Sequence, residues 1–176
     1  GLPEVWEVGL RLYNVAETAF FGAPVYFPPE QVPATEPILT QDNKHAIFEC
    51  DVQRPLESDY FKKLLNFWQE MDRYCDGLIY EGRPVRLAPW APVWTDGPVT
   101  LACNLRGSDF LLDLIEDPGY ADRLLDLLTE AAIVRRRSFF AYWGDRVGLS
   151  NVLADDSCAM LGPEMYARRV LPHHRR

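Results

Sequence analysis

The sequence predicts an α/β chain with parallel strands, and three observations lead there. Apolar runs and helix-periodic segments alternate in the C-terminal half as strand, long helix, strand, helix. Such alternation implies parallel strands joined by right-handed crossovers. An apolar run ending at Leu153-Ala154 stops on Asp155-Asp156, and Gly162-Pro163-Glu164 then opens a helix. In enzymes built from parallel strands, this is how a strand hands acids to an active site. Finally, no GxGxxG or GxxxxGKS/T loop follows any strand, so a phosphate cradle is absent. A closed eight-stranded barrel needs ~250 residues. The 176 residues therefore read as one domain, an incomplete (β/α)8 barrel of the TIM type, with an open doubly wound sheet as the alternative.

The elements follow in order. Pro3 suits the first turn of a helix, and Val5, Val8, Leu12, Val15 and Phe20 recur near helical spacing up to a stop at Gly22. Pro24–Phe27 is a short extended run. Residues 28–44 read as a Pro-rich loop, and Ala46–Cys50 as a weak strand. Ser58 or Asp59 caps a helix to about Tyr74. Its stripe of Tyr60, Phe61, Leu64, Leu65, Trp68 and Met71 is core rather than a ring-binding face. Pro84–Trp90 is a strand ending on an aromatic. Gly97-Pro98 opens a helix, Ser108 a short helical turn, and Asp117-Pro118 the longest helix, to about Trp143. Its Arg135-Arg136-Arg137 run reads as a solvated face near the helix end. Val147–Ala154 is the next strand, and a last helix starts near Pro163.

Composition narrows the function classes. A net charge of −8 and a pI near 4.9 disfavour nucleic acid, which calls for a basic stripe, and an anionic membrane surface. No apolar run approaches the ~20 residues of a membrane helix. Gly1 opens directly into a folded-looking segment with no signal peptide. Cys50, Cys75, Cys103 and Cys158 form no CxxC pair, so reduced, mostly buried thiols in a cytoplasmic protein are expected. The charged ending, with no closing turn, suggests a piece of a longer protein. An unclosed barrel would expose strand edges and favour self-association, in the simplest case as a homodimer.

Asp155 and Asp156 are the candidate catalytic residues. One acid is expected at the mouth, with Asp156 preferred, while the other caps a helix or pairs with an arginine. Trp90 and Asn104 flank the preceding strand end, where an indole stacks a flat ligand and an amide orients one. None of His45, His173 and His174 pairs visibly with a nucleophile and an acid, so a triad has no support. Cys103, Asp156 and Cys158 would converge if the two strands are neighbours, yet no zinc-ligand spacing backs a metal site there.

Three segments carry a family likeness: Ala16-Glu17-Thr18-Ala19-Phe20-Phe21-Gly22-Ala23-Pro24-Val25-Tyr26-Phe27; Gly97-Pro98-Val99-Thr100-Leu101-Ala102; and Asp155-Asp156 through Leu161-Gly162-Pro163-Glu164-Met165-Tyr166 to Val170-Leu171-Pro172. In this order and spacing they resemble the uroporphyrinogen decarboxylase superfamily. The resemblance implies a (β/α)8 barrel with a deep mouth at the strand C-termini, here lacking both ends. In its decarboxylases, an aspartate helped by a tyrosine and a serine holds the pyrrole N–H groups. Those positions fall at Tyr13 (beside Asn14), at Asn104 and at about Asp156, and all three depart. Losing the aspartate removes the charge that would stabilise a protonated pyrrole.

The resemblance therefore implies the methyltransferase-like branch, which moves methyl groups to or from a corrinoid or a thiol. There, zinc held by His and Cys activates a thiolate. The implied zinc ligands lie beyond Arg176. Asp156 and Asn104 would line the mouth, with Asp155 supporting, Trp90 on the rim and Asn14, next to Tyr13, replacing the acid. No cofactor is required within these residues, while corrinoid and zinc are implied for the full-length protein. The partner is a small-molecule or corrinoid-protein substrate, with no nucleic acid and no membrane. Two alternatives remain: a uroporphyrinogen decarboxylase of tetrapyrrole biosynthesis with a rearranged site, and a non-catalytic barrel that binds a tetrapyrrole or a partner subunit.

Overall fold

Among the described residues few runs make a strand, and the structure there is mainly helical, with no (β/α)8 barrel. The computed structural model describes residues 2–9, 15–88, 95–144 and 153–176. Its elements are β1 (Trp6–Val8), α1 (Val15–Phe20), α2 (Asp59–Cys75), β2 (Ile79–Tyr80), β3 (Arg83–Leu87), β4 (Thr95–Asp96), α3 (Pro98–Arg106), α4 (Asp109–Glu116), α5 (Pro118–Trp143), β5 (Leu153–Ala154), α6 (Pro163–Met165) and α7 (Leu171–His174). The longest described strand has five residues and three others have two. They form two separate sheets, β1-β3-β2 and β4-β5. Two pairs are parallel, β1 with β3 and β4 with β5, where Thr95 lies opposite Leu153 and Asp96 opposite Ala154. The expected strand at Pro84–Trp90 is Arg83–Leu87 of the first sheet and does not adjoin β5, whose neighbour Thr95–Asp96 falls in an expected loop. Among the described residues there is neither a closed cylinder nor a doubly wound sheet.

Several helices start where cap chemistry predicts. Ser58 accepts a hydrogen bond from the Phe61 N–H at 3.3 Å and opens α2. Asp117 accepts from the Tyr120 N–H at 3.3 Å, with Pro118 as the first residue of α5. Both placements satisfy donors that the first helical turn leaves free. Other segments depart from the sequence reading. Trp6–Val8 is no helix turn but a strand, parallel to Val85–Leu87. The weak strand at Ala46–Cys50 is a 3-10 helix, Lys44–Glu49. Ile79–Tyr80 pairs with β3 through a tight turn at Glu81-Gly82, both at positive φ, the geometry of a short hairpin. Residues 147–152 of the expected last strand lie outside the described residues, and only Leu153–Ala154 is strand.

The core is split in two, and α5 spans both parts. Its first half packs Tyr120, Leu124, Leu125 and Leu128 against Val99, Leu101 and Leu105 of α3 and Phe110 and Leu114 of α4. Its second half sets Phe139 and Trp143 against Phe61, Leu64, Leu65 and Trp68 of α2 and Val85 and Leu87 of β3. The α2 stripe is core, as expected. The arginine run is not a solvated face throughout: Arg135 is 2% exposed and pairs with the equally buried Glu17 of α1. The run sits inside a 26-residue helix, where one arginine in three or four must face the core side. Of the four cysteines only Cys75 is buried, and all four are free thiols. Among the described residues no helix is long and apolar enough to cross a membrane.

Candidate functional site

The ends of β4 and β5 lie side by side, and each strand delivers a carboxylate. Local chemistry at α3 explains why. Gly97 precedes α3 and has no side chain with which to cap it, while Pro98 has no N–H. The N–H groups of Val99 and Thr100 therefore need an outside acceptor. Asp155 supplies it: Oδ1 accepts from the Thr100 N–H at 2.6 Å and Oδ2 from the Val99 N–H at 3.3 Å. A carboxylate at a helix N-terminus is also favoured by the helix dipole. Only glycine fits at 97, since a Cβ there would overlap the Cβ and Cγ of Asp155. The link is closed by the Gly97 N–H donating to the Ala154 carbonyl at 2.7 Å and the Ser157 N–H to Thr100 Oγ1 at 3.0 Å.

Asp96 is held from the other side. Its N–H donates to Glu17 Oε2 at 2.7 Å, and Asn104 Nδ2 donates to its Oδ2 at 3.1 Å. Burial, then the charges of Asp155 and Asp156, push the Asp96 carboxyl up to about 6, and the Asn104 hydrogen bond only partly offsets them. Arg135, on α5, anchors Glu17 in turn. Burial draws that guanidinium down to about 10, so it stays charged at neutral pH.

The C-terminal helical segment completes the group. His174 Nε2 lies 2.7 Å from Asp155 Oδ2, and Tyr166 Oη lies 3.2 Å from His174 Nδ1. Cys158, in the 3-10 turn Asp156–Met160, joins them. Asp155, Cys158 and His174 offer one ligand atom each, all within 4.8 Å of one another, and all three residues are half-buried. Burial first, then a hydrogen bond to Asp155, pushes the Cys158 thiol up to about 12. Burial also raises Cys103, an effect the Ser157 hydrogen bond opposes. Neither thiol is a free nucleophile at neutral pH. His174 spends its ring nitrogens on Asp155 and Tyr166, not on Cys158, so the group is not a Cys-His dyad. Thiol, imidazole and carboxylate are the donor types zinc accepts, so these residues fit that ion.

The expected site residues fare unequally. Asp155 is central, but as the cap of α3 and the partner of His174. Asp156 is exposed and acts on Asp96 through its charge. Asn104 reaches the site through Asp96. Trp90, Asn14 and Tyr13 lie outside the described residues. Of Cys103, Asp156 and Cys158, which would converge if the strands were neighbours, Cys103 and Cys158 do lie close enough to act on each other, but the group within ligand distance is Asp155, Cys158 and His174. Sequence reasoning passed over Asp96, Glu17 and Tyr166 and set His174 aside. One signal pointed to Asp96: Asp96-Gly97-Pro98 is an acid at a strand end before a Gly-Pro helix start, the same grammar as Asp155 ahead of Gly162-Pro163. An open apolar pocket of about 370 Å³, lined by Val15, Ala19, Gly22, Phe27 and Tyr60 among others, includes none of the strand-end acids. Compared with protein-family models, with curated proteins and with solved structures, the chain gives no match.

Proposed function

We propose that the chain is an enzyme of the uroporphyrinogen decarboxylase superfamily, of the methyltransferase-like branch, with its reactive centre at the ends of β4 and β5. The observation that carries this reading is the meeting of two parallel strand ends with a thiol, an imidazole and a carboxylate within 4.8 Å of one another. A corrinoid-bound methyl group, presented free or on a carrier protein, is the substrate. In the transfer a thiolate forms a bond to the methyl carbon, and the electron pair of the cobalt–carbon bond stays on cobalt. Zinc, when bound, supplies the positive charge that keeps a thiol ionised near neutral pH.

The chain's own groups set the stage for that displacement. Asp155 ties the β5 end to α3, which fixes Cys158 and Thr100 relative to each other. Asn104 holds the Asp96 carboxyl, a group that takes or releases a proton near pH 6. Asp156, exposed beside it, is placed to meet substrate. The test is direct. Purified chain, methylcobalamin and a small thiol should give loss of the methylcobalamin spectrum with one thioether formed per methyl lost. The rate should drop at least tenfold in Cys158→Ser. An unchanged spectrum over many turnover times would refute the reading.

One observation favours the decarboxylase alternative. The charges of Asp155 and Asp156 help raise Asp96 to about 6, and a carboxyl in that range is suited to protonating a carbon left by departing carbon dioxide. Carbon dioxide release from uroporphyrinogen by the same preparation would select it. A chain that only binds a tetrapyrrole or a partner subunit would show neither reaction.

A further inference from the structure

We infer that Asp155, Cys158 and His174 form a zinc site with an open coordination position. The resemblance puts zinc ligands beyond Arg176; this site is a different one, built wholly from residues described here. It rests on the reading above only for what the ion would do, since binding itself rests on geometry.

Four features support it. The three ligand atoms already lie within 4.8 Å of one another. A tetrahedral zinc with bonds of ~2.0–2.3 Å separates its ligand atoms by about 3.3–3.6 Å. The 2.7 Å contact between His174 Nε2 and Asp155 Oδ2 must therefore open by roughly half an ångström to admit the ion at those bond lengths. Secondly, two of the ligands are held in place. The Asp155 carboxylate is pinned by the α3 N–H groups it accepts from, and the Cys158 N–H donates to the Asp155 carbonyl at 3.0 Å. Thirdly, His174 already has an outer partner. With zinc on Nε2, Nδ1 keeps its proton and donates it to Tyr166 Oη, 3.2 Å away; such second contacts orient ligating histidines. Fourthly, three protein ligands are the pattern of catalytic rather than structural zinc, leaving the fourth position to water or substrate. The Asp155 carboxylate is nearly buried and the His174 ring is 17% exposed, so an ion enters from the side of the imidazole and the thiol. Binding converts the Cys158 S–H to thiolate and releases one proton to solvent.

The test uses the whole chain, stripped of metal and titrated with Zn²⁺ or Co²⁺. We expect one ion per chain and, with Co²⁺, a thiolate-to-cobalt charge-transfer band in the near ultraviolet. Cys158→Ser should abolish the band and His174→Ala weaken binding at least a hundredfold, while Cys50→Ser leaves both unchanged. Tyr166→Phe should cost about 10–100-fold in affinity without altering the band. Should the variants not fold, the wild-type cobalt spectrum decides alone, because absence of the thiolate band overturns the site. A band of full intensity in folded Cys158→Ser overturns it as well. A chain that binds one zinc and transfers no methyl group keeps the site and removes the methyl-transfer reading. Methyl transfer by a chain that takes up neither Zn²⁺ nor Co²⁺ does the reverse.

Discussion

Two clusters of charge in this molecule are built on opposite principles. Under α4 and α5, Lys44 is 2% exposed and donates to Asp113 at 3.0 Å and to Asp117 at 2.9 Å. Arg106 donates to Asp113, Asp109, Gln41 and the Leu39 carbonyl at 2.9–3.2 Å. Opposite charges alternate there. Burial alone would lower the Lys44 ammonium, yet its two carboxylate partners outweigh it and leave it raised. At the ends of β4 and β5, like charges adjoin instead. Asp96 is driven to about 6 and the Cys158 thiol to about 12. A network that satisfies each charge serves to hold the fold; one that leaves its groups at odds serves chemistry, or waits for a cation.

That contrast can be broken from the structural side first. Asp113→Ala leaves two buried cations short of their shared partner and should cost about 3–5 kcal/mol, read from the urea midpoint; a loss under 1 kcal/mol on the same scale would mean that the network is not structural. Gly97→Ala comes next. Its new Cβ must push Asp155 off the α3 N-terminus, so we expect about 1–3 kcal/mol together with loss of the cobalt band. Stability without the band would show that the two roles of Asp155 separate.

The strand-end cluster is probed by pH. Because the native Asp96 carboxyl is raised from 3.8 to about 6, the folded protein holds that proton more tightly than the unfolded chain. Its contribution to stability is present below about 3.8 and lost as pH rises through about 6. The thermal midpoint of wild type should thus fall across this window relative to Asp96→Asn, and parallel curves would contradict the assignment. The smallest effect is expected at the exposed Asp156. Asp156→Asn should change stability by less than about 0.5 kcal/mol, while methyl transfer slows if that side chain meets substrate.

Much of the helical framework was legible because it is local. Ser58, Asp117, Pro98 and Pro118 announce helix starts by what their own backbones lack or supply, and the α2 stripe announces its buried face by spacing. The strands were less legible. Trp6–Val8 sits in a run with helical spacing and becomes a strand only because β3 offers a parallel edge. The site was half legible. Asp155 was placed at a strand end from the apolar run before it, but its capping of α3 depends on Gly97, fifty-eight residues earlier in the chain. Nothing near His174 betrays that its ring meets Asp155, since the contact is made by folding the C-terminal segment back.

What the sequence alone determined is where several helices begin, which face α2 buries, and that an acid closes the run at Asp155; these depend on residues within a turn or two of each other. Only tertiary packing decided that the strands form two small sheets rather than a cylinder, that Arg135 goes inside to meet Glu17, and that thiol, imidazole and carboxylate converge. Each of those outcomes joins residues far apart in the chain, and the free energy of such contacts exists only once both partners have been brought together.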